Sequence, residues 1–413
     1  MKLSTKIKNT LTTKVPFMKN TVQGMADAKN HRRYLKAAVD PVDDKLILFM
    51  SFMGKKYADS PRAIYEYMLS SDEYRDYKFV WAFVHPDRYP QVAANPQTKV
   101  VKLNSDEHYK IYATSKYWVT NSRVPDVIDK REEQVYLQCW HGTPLKRLGL
   151  DIEVKGANAR HSASDMGEKY RIDARKYTYM VSPSPYCTEK FTSAFGLDEV
   201  GREDIIVETG YPRNDELAEV YDSQIESLKD KLGIPQDKKV ILYAPTWRDN
   251  QYDATVGYTY KEEVDFTRLR ESLGDDFIIL FRAHYFVSNA FDFEKYKGFV
   301  YNVSDYDEIN DLYIVSDVLM TDYSSVFFDY ANLRRPIIFF MYDLKEYRDT
   351  IRGFYISLDE LPGHVIETED ELIEELRALD GWQPDDKYKA FNKKFNPLDD
   401  GSASERVVKR CIG

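Results

Sequence analysis

The feature that most constrains the fold of this chain is an alternation of short apolar runs with amphipathic segments of helical period. Short runs rich in β-branched and aromatic residues are typical of buried strands, and their alternation with helices predicts parallel βαβ units. In the first half of the chain a helix is predicted at 61–70. The predicted strands of this half lie at 46–50, 79–84, 100–103, 117–120, 135–139 and 179–182.

A second series of the same kind follows a polar connector at 216–238, which Gly233 and Pro235 interrupt. Its predicted strands lie at 240–243, 277–280, 318–320 and 336–340. Its predicted helices lie at 266–273, 308–315, 325–333, 368–379 and 402–412. The two series predict an α/β protein with two Rossmann-like domains whose parallel sheets face a central cleft.

The length of 413 residues fits about two to three structural units of ordinary size. We expect a basic leader at 1–40, an N-terminal Rossmann-like domain at 41–215, and a C-terminal Rossmann-like domain with closing helices at 216–413. No internal repeat or low-complexity tract interrupts this division.

The leader differs from the rest of the chain in charge. Residues 1–40 carry nine lysines and arginines against Asp27 and Asp40, a net charge of +7, although the whole chain has a net charge of −10. An acidic body argues against a nucleic-acid binder, which presents a basic folded surface. Apolar residues recur in the leader at roughly helical spacing, at Leu3, Ile7, Leu11, Val15 and Met18. Two hypotheses follow: an amphipathic helix on an anionic membrane surface, or a helix packed on the protein's own surface.

Cysteine usage and hydropathy indicate the compartment. The cysteines Cys139, Cys187 and Cys411 lack the spacing of a metal site, and their odd number fits a reducing environment. No apolar run reaches the ~18 residues that span a bilayer, and the leader lacks the apolar core of a signal peptide. We therefore expect a peripheral protein on the cytoplasmic face of the cell membrane.

Polar motifs stand where predicted strands end. They lie at 139–146 (CWHGTPLK), 210–215 (GYPRND), 244–249 (APTWRD), 281–284 (FRAH) and 321–330 (TDYSSVFFDY). Ligands of open α/β sheets bind beyond the carboxyl ends of the strands. These histidines, arginines and hydroxyl-rich turns therefore predict a site for an anionic, phosphate-bearing ligand.

The first of these motifs contains a candidate general base. His141 follows a predicted strand directly, Gly142 allows close approach of a ligand, and Thr143-Pro144 starts a helix. A histidine with a pKa near the working pH can take a proton from a hydroxyl nucleophile. The alternative is a core histidine that hydrogen bonds to a carbonyl.

The motif at 321–330 predicts a phosphate site. Ser324 and Ser325 are good N-cap residues, and the first amides of the following helix would bind phosphate oxygens. Asp322 and Asp329 flank this turn and could accept hydrogen bonds from ribose hydroxyls or orient a histidine. The alternative is an ordinary capped turn with acids that complement the helix dipole.

Basic residues in the other motifs could neutralise a diphosphate. Arg282 and His284 alternate at the end of a strand and therefore lie on the same side of it. Arg213 and Arg248 are candidates for bidentate phosphate contacts, with salt bridges as the alternative. The remaining histidines have no comparable context and are expected to be structural or exposed; they are His31, His85, His108, His161 and His364.

Several motifs are missing from the sequence. It contains no dinucleotide-binding GxGxxG, no P-loop, no GxSxG elbow and no HExxH. No Asp-x-Asp cluster stands beside the phosphate turns, so we expect no metal site and no cofactor, with basic side chains and helix amides carrying the charge. A magnesium requirement stays open at this point.

Together, the motifs at 141–146, 211–215, 244–248, 282–284 and 321–325 resemble those of the CDP-glycerol glycerophosphotransferase family, the polyol-phosphate primases and polymerases of wall teichoic acid. Supporting pieces lie at 51–57, 352–355 and 400–406. The likeness runs in order over about residues 45–410. It implies a GT-B-like fold in which the C-terminal domain binds the CDP moiety and the acceptor enters from the N-terminal side.

The resemblance also implies roles for individual residues. His141 would deprotonate the acceptor hydroxyl, and His284 would assist at the pyrophosphate, with Asp322 as a further catalytic candidate. The implied donor contacts are Gly142, Thr143, Pro144, Leu145, Arg213, Pro245, Thr246, Arg248, Arg282, Ala283, Ser324, Ser325 and Asp329. The implied reaction moves glycerol phosphate, or ribitol phosphate, from a CDP-linked donor to a polyprenyl-diphosphate-linked saccharide or polyol-phosphate acceptor and releases CMP.

The resemblance leaves the exact enzyme open. Long polymerases of the family carry a large extra N-terminal region, whereas here only about 40 residues precede the transferase-like core. A primase, a short polymerase and a ribitol-phosphate enzyme all fit. The alternatives outside this reaction are a GT-B glycosyltransferase that uses a nucleotide sugar and a non-catalytic lipid-surface binding module of the same fold.

Overall fold

The apolar runs of the sequence form two parallel sheets, one in each half of the chain. The computed structural model describes residues 16–152, 163–246, 252–253, 257–258, 264–283, 291–345 and 353–413. Within these residues, seven strands form the first sheet in the order β3-β2-β1-β4-β5-β6-β7, and every neighbouring pair is parallel. The strands are β1 Asp43–Met50, β2 Lys78–Phe83, β3 Thr98–Lys102, β4 Ser115–Thr120, β5 Val135–Gln138, β6 Tyr179–Ser182 and β7 Ile206–Glu208.

The second sheet repeats this topology. Its described strands run in the order β12-β11-β8-β13-β14-β15, again all parallel. Its strands are β8 Lys239–Ala244, β11 Phe277–Phe281, β12 Val300–Asn302, β13 Val318–Thr321, β14 Ile337–Phe340 and β15 His364–Ile366. A separate antiparallel pair consists of β9 Tyr252–Asp253 and β10 Gly257–Tyr258. Both large sheets therefore reverse direction of winding beside their first strand, between β1 and β4 and between β8 and β13, where ligands of such folds bind.

The helices pack between and around the sheets. Those of the first half are α1 Pro16–Ala37, α2 Asp59–Ser70, α3 Pro90–Ala93, α4 Asp106–Thr114, α5 Ala163–Ala174 and α6 Pro185–Phe195. Those of the second half are α7 Asp222–Leu232, α8 Phe266–Leu273, α9 Ile309–Val315, α10 Val326–Tyr330, α11 Glu369–Arg377, α12 Asp386–Phe395 and α13 Ala403–Cys411. The predicted two-domain α/β architecture is confirmed, and the arrangement is GT-B-like.

Aromatic residues fill much of the first core. Trp81 of β2 is fully buried and stacks on Phe49 and Phe83, with ring centroids 5.5 and 5.4 Å away. Val407 of the last helix, α13, belongs to the same apolar cluster, and Tyr117 of β4 donates a hydrogen bond to the backbone oxygen of Ile412. The end of the chain thus packs against the first sheet and ties the two halves together.

The two domains also meet through a backbone bridge beside the cleft. Lys146 pairs with Phe354 in an isolated antiparallel bridge, and the Tyr355 amide donates to the Leu145 oxygen at 2.9 Å. The Arg147 amide donates to Gly353 at 3.1 Å. This bridge fixes the loop after His141 against the C-terminal domain.

Helix α1 is the described part of the leader, whose residues 1–15 lie outside the described residues. Its C-terminal half packs on α4: Tyr34 is buried, and Arg33 pairs with Asp106 at 2.5 Å. Its other face is exposed at Met25 and Leu35, which are 69% and 48% accessible. One face of this helix therefore packs on the protein's own surface, whereas the other face is exposed to solvent. None of the described helices combines the length and apolar character needed to cross a membrane.

Candidate active site

A cleft of about 1090 Å³ lies between the carboxyl ends of the two sheets. Residues of both domains line it, which places its walls at the reversal points of both sheets. The residues predicted from sequence that line this cleft are His141, Gly142, Thr143, Pro144, Leu145, Pro245, Thr246, Arg282, Ala283, Ser324 and Ser325. The sequence therefore identified residues from four strand ends, those of β5, β8, β11 and β13, that the fold brings to one cavity.

His141 is oriented by the neighbouring strand. It lies just beyond β5, and its Nδ1 atom is 2.9 Å from the backbone oxygen of Asn121, which lies just beyond β4. A backbone oxygen can only accept, so Nδ1 carries the proton and Nε2 of the neutral ring is the acceptor nitrogen. The sequence analysis gave a carbonyl-bonded histidine as the alternative to a general base. Here the two go together, because the hydrogen bond from Nδ1 to the carbonyl leaves Nε2 as the basic nitrogen.

The backbone before His141 adopts an uncommon conformation. Trp140 has φ 51°, in the left-handed region that bulky residues rarely enter. Burial stabilises it there: the indole is 5% exposed and packs edge-on against Phe195 at 5.0 Å. Its amide also donates to the side-chain oxygen of Gln138 at 2.9 Å. Such a strained residue held by its surroundings is typical of functional sites.

The electrostatics of the cleft favour neutral His141. Burial between the domains lowers the pKa of His141 below its ordinary value, and the positive charge of Arg213 acts in the same direction. The hydrogen bond to Asn121 and the negative charge of Asp59 oppose this shift. The imidazole is exposed to the cleft itself. The ring is therefore accessible and unprotonated at neutral pH, as a general base requires.

The turn at Ser324 and Ser325 meets the Gly142 loop across the cleft. A Cβ atom placed on Gly142 would lie 3.2 Å from Oγ of Ser325. Glycine at 142 thus leaves the space between the two domains open at this point. Both serines are partly exposed and line the cleft, where their hydroxyls can donate to a ligand.

The expected helix cap at this turn is not formed. Ser325 occupies the N-cap position of α10, but its side chain makes no capping hydrogen bond. Helix α10 itself has 5 residues, so its dipole is small compared with that of a long helix. The expectation of a capped helix start is corrected: the serine hydroxyls contribute to the cleft wall and do not cap the helix.

Asp322 positions the backbone of two turns at the carboxyl edge of the second sheet. It is 2% exposed, and its Oδ1 accepts hydrogen bonds from the backbone amides of Thr246 and Tyr323 at 2.8 and 2.5 Å. It is not among the residues that line the cleft. The expectation that it orients a histidine does not apply to His141, which the Asn121 backbone holds. Asp322 instead fixes the turn after β8 to the turn after β13.

Arg213 and Asp329 form a buried ion pair away from the cleft surface. Nε and Nη2 of Arg213 bind the two carboxylate oxygens of Asp329, both at 3.1 Å. The Arg213 guanidinium also lies 3.7 Å from Asp59 and 3.7 Å from the ring centroid of Tyr211. Arg213 is 4% exposed and is not among the residues that line the cleft. These two predicted donor contacts are corrected to a structural pair that joins the domains.

Two predicted site residues, His284 and Arg248, lie outside the described residues. Their predicted roles therefore stay predictions. The residues before them are placed: Arg282 and Ala283 follow β11, and Pro245 and Thr246 follow β8, all at the cleft.

The cleft also contains charged or titratable residues that the sequence analysis did not assign to the site, among them the exposed His85, which was expected to be structural or exposed. They are Lys55, Lys56, His85, Arg88, Lys146, Asp305 and Asp307. Except for Lys146, which lies in a motif already noted, they follow the carboxyl ends of β1, β2 and β12. Applying the strand-end rule to these strands would have found them.

No metal-ligand set was found in the described part of the chain. No group of at least three His, Cys, Asp or Glu side chains converges there. The described cleft wall is instead rich in cationic side chains, which suit an anionic ligand.

Comparison with known families gives a match over most of the chain. The sequence profile of the family described as CDP-Glycerol:Poly(glycerophosphate) glycerophosphotransferase matches residues 33–413. This range includes every residue that lines the cleft.

Individual relatives are teichoic acid enzymes. The chain is 41% identical over 387 residues to the teichoic acid poly(glycerol phosphate) polymerase of Staphylococcus epidermidis, covering 92% of this chain and 52% of that protein. It is 38% identical over 398 residues to the teichoic acid glycerol-phosphate transferase of Staphylococcus aureus, covering 94% and 98%. A teichoic acid poly(ribitol-phosphate) polymerase of Bacillus spizizenii is 30% identical over 384 residues, covering 90% and 57%. The chain thus spans about half the length of two of these proteins and nearly the full length of the transferase.

A solved structure supports the same grouping. The wall teichoic acid polymerase TagF is 38% identical and superimposes with a TM-score of 0.84, over 95% of this chain and 96% of that one. A variant of TagF was also solved after a soak with CDPG.

Proposed function

Because the chain belongs to the CDP-glycerol:poly(glycerophosphate) glycerophosphotransferase family, we propose that it transfers glycerol phosphate from CDP-glycerol to a hydroxyl of a lipid-linked teichoic acid precursor or growing chain. The observation that carries the proposal is the hydrogen bond from His141 Nδ1 to Asn121, which leaves Nε2 as a base inside a cationic cleft. Glycerol is favoured over ribitol as the polyol because a glycerol-phosphate polymerase and a glycerol-phosphate transferase share 41% and 38% of the sequence, more than the ribitol-phosphate polymerases at 30% to 34%.

The proposed reaction is a single phosphoryl transfer. The acceptor oxygen bonds to the β-phosphorus of CDP-glycerol, and the bond from that phosphorus to the bridging oxygen breaks. CMP leaves with the bridging oxygen and its electron pair. The proton of the acceptor hydroxyl passes to Nε2 of His141, whose lowered pKa keeps it ready to accept.

The charge of the donor diphosphate requires cations and hydrogen-bond donors in the cleft. Arg282 supplies a cation from the end of β11, and Ser324 and Ser325 supply hydroxyl donors after β13. Charge-assisted hydrogen bonds of this kind stabilise developing charge without a large rearrangement. We propose that these groups carry the phosphate charge without a protein-bound metal.

The test is a turnover assay with competing donors. Purified protein receives a soluble glycerol-phosphate acceptor together with CDP-glycerol, CDP-ribitol and a UDP-sugar, and the consumption of each donor is measured with the release of CMP and UDP. CMP release that requires CDP-glycerol is the expected result. UDP release would indicate a glycosyltransferase. Preferential consumption of CDP-ribitol would show that ribitol phosphate is the group transferred. Binding of CDP-glycerol without CMP release would indicate a non-catalytic binding module.

We also propose that the protein works as a peripheral protein at the cytoplasmic face of the membrane, through the exposed face of α1. The residues of this face lie three, four or seven apart and so share one side of the helix. They are the apolar Met25 and Leu35 and the basic Lys29, Arg32 and Lys36, all exposed. A face that mixes apolar and basic side chains suits the surface of an anionic bilayer, where a lipid-linked acceptor would be held.

A further inference from the structure

Two cations from opposite domains converge on one backbone oxygen in the cleft. Nζ of Lys56 donates to the Tyr306 oxygen at 2.9 Å, and Nη1 of Arg282 donates to the same oxygen at 2.9 Å. Lys56 follows β1 in the N-terminal domain, whereas Arg282 follows β11 in the C-terminal domain. Two bonds of this length to one atom keep the two nitrogens within 5.8 Å of each other. Both residues line the cleft.

Neither cation is matched by a carboxylate hydrogen bond among the described residues. Lys56 donates to Tyr306, and Arg282 donates to the backbone oxygens of Tyr306 and Val303. Two of the three acids whose charge acts on Lys56 have other partners: Asp307 accepts from the hydroxyl of Tyr89 at 2.8 Å, and Glu308 accepts from the amide of Asp59 at 3.0 Å.

Two adjacent cations at a partly buried site repel each other and lose hydration. Burial and the neighbouring Arg282 lower the pKa of Lys56 to about 8, against the opposing pull of Asp305, Asp307 and Glu308. Burial also lowers the pKa of Arg282. A neutral backbone oxygen compensates such a pair poorly, whereas the oxygens of a diphosphate carry full negative charge and can accept from both.

We propose, on the basis of the proposed function, that Lys56 and Arg282 together bind the diphosphate of the nucleotide donor, one from each domain. The Tyr306 oxygen positions both side chains for this task. Lys56 is thereby a donor-binding residue of the N-terminal domain. A donor bound in this way holds the two domains together across the cleft, next to the base His141.

Donor affinity should follow the charge of Lys56. Below pH 8 the ammonium group is charged and binds phosphate; as the pH rises through about 8 in the unliganded protein, Lys56 loses its proton and the contact weakens. The diphosphate diester of CDP-glycerol does not titrate in this range. A decline in the affinity for CDP-glycerol between pH 7 and pH 9 would therefore result from a titrating group of the protein and not from the ligand.

The experiment measures binding of CDP-glycerol and of cytidine by calorimetry in the absence of acceptor. Lys56→Met keeps the length of the side chain and removes its charge, and it should weaken CDP-glycerol binding about tenfold or more at pH 7, as expected for a lost charge-assisted hydrogen bond. Cytidine, which has no phosphate, should bind both proteins equally. Lys45→Met is the matched control, because Lys45 is an exposed lysine near the other end of β1 and is not among the residues that line the cleft; it should change the affinity less than threefold.

A second variant tests whether Lys56 binds the donor or only makes a structural contact with Tyr306. Lys56→Arg keeps a charge that does not titrate, so its affinity for CDP-glycerol should stay constant from pH 7 to pH 9 while that of the wild type falls. The proposal is overturned if Lys56→Met binds CDP-glycerol within threefold of wild type, or if Lys45→Met weakens binding equally. If wild type prefers cytidine or binds neither ligand, the proposed function itself fails, an outcome distinct from a failure of Lys56.

Discussion

Nδ1 of His141 lies 2.9 Å from the backbone oxygen of Asn121. These residues follow β5 and β4, which are hydrogen-bonded neighbours in the first sheet. The side-chain oxygen of Asn121 in turn accepts from the Phe52 amide at 2.8 Å, which ties the loop after β1 to the same point. The sheet therefore fixes the ring orientation and the tautomer of His141. The first two predictions follow from the basic Nε2 atom that this leaves free of the backbone contact.

We predict that His141→Asn lowers kcat by ~10²–10⁴, the usual loss when a general base is removed. Binding of CDP-glycerol should stay within twofold of wild type, because the phosphate-binding groups are untouched. Calorimetry and a CMP-release assay measure the two quantities. His85→Asn is the control, since His85 is another histidine of the cleft wall. A His141→Asn protein that keeps more than a tenth of wild-type kcat would remove His141 from the role of base.

The value of kcat/KM for the donor should fall on the acidic side of its pH profile, below pH 6.5. Burial lowers the pKa of His141, so the ring stays neutral at pH 6.5 and above. Activity is lost only as the pH falls through that lowered pKa and Nε2 becomes protonated. The profile is measured from pH 4.5 to pH 9 with a saturating acceptor. An acidic limb at or above pH 7 would contradict the assignment of this limb to His141.

Replacing both Ser324 and Ser325 by alanine should raise the donor KM about tenfold or more while leaving the melting temperature almost unchanged. The hydroxyls line the cleft, but neither completes a helix cap: the N-cap Ser325 makes no capping hydrogen bond. A lost cap would instead cost about 1 kcal/mol of unfolding free energy. Steady-state kinetics and thermal unfolding distinguish the two roles. Unchanged KM with a marked fall in melting temperature would show that the serines are structural.

Arg213→Met should destabilise the protein strongly without a specific effect on donor binding. The substitution leaves Asp329 and Asp59 buried without their cation, and breaking a buried ion pair on one side typically costs about 3–5 kcal/mol. Thermal unfolding measures the loss, and calorimetry at low temperature measures CDP-glycerol affinity. A stable Arg213→Met protein with greatly weakened donor binding would restore Arg213 to the donor site.

Reversing the charges of Lys29, Arg32 and Lys36 to glutamate should lower binding to anionic vesicles at least tenfold. Each basic residue near such a surface contributes about 1 kcal/mol, and all three are exposed. Turnover on a soluble acceptor should be unaffected, since these residues do not line the cleft. Vesicle sedimentation at low and high salt measures the binding.

A matched triple variant on α12, Lys387→Glu with Lys389→Glu and Lys393→Glu, controls for total charge. These lysines are also exposed. Equal loss of vesicle binding in both triple variants would show that net charge, and not the face of α1, governs the interaction.

Long, strongly apolar elements were predictable from the sequence, and short edge elements were not. Helix α8 was predicted at its observed bounds, and the central strands were found to within three residues. The short strands β7, β12 and β15 were missed. Each has 3 residues, and β7 and β15 are the outermost strands at one end of each sheet, where burial, and hence apolar character, is reduced.

The candidate site shows the same division. His141 and Ser325 were found because a polar motif directly after an apolar strand is a local pattern. Lys56 was missed because its significance comes from Arg282, whose common acceptor Tyr306 lies 250 residues from Lys56 in the chain. Nothing in the local sequence distinguishes Lys56 from Lys55.

The sequence by itself determined the α/β class, the two parallel domains and the cluster of strand-end motifs, since hydrophobic period and strand-end chemistry are properties of neighbouring residues. Only the tertiary structure decided which charged groups face the cleft. Arg213 and Arg282 both follow strands, yet one is buried against Asp329, 116 residues away, and the other borders the cavity. Burial and pairing depend on residues that are distant in the chain, and so they are fixed only when the two sheets come together.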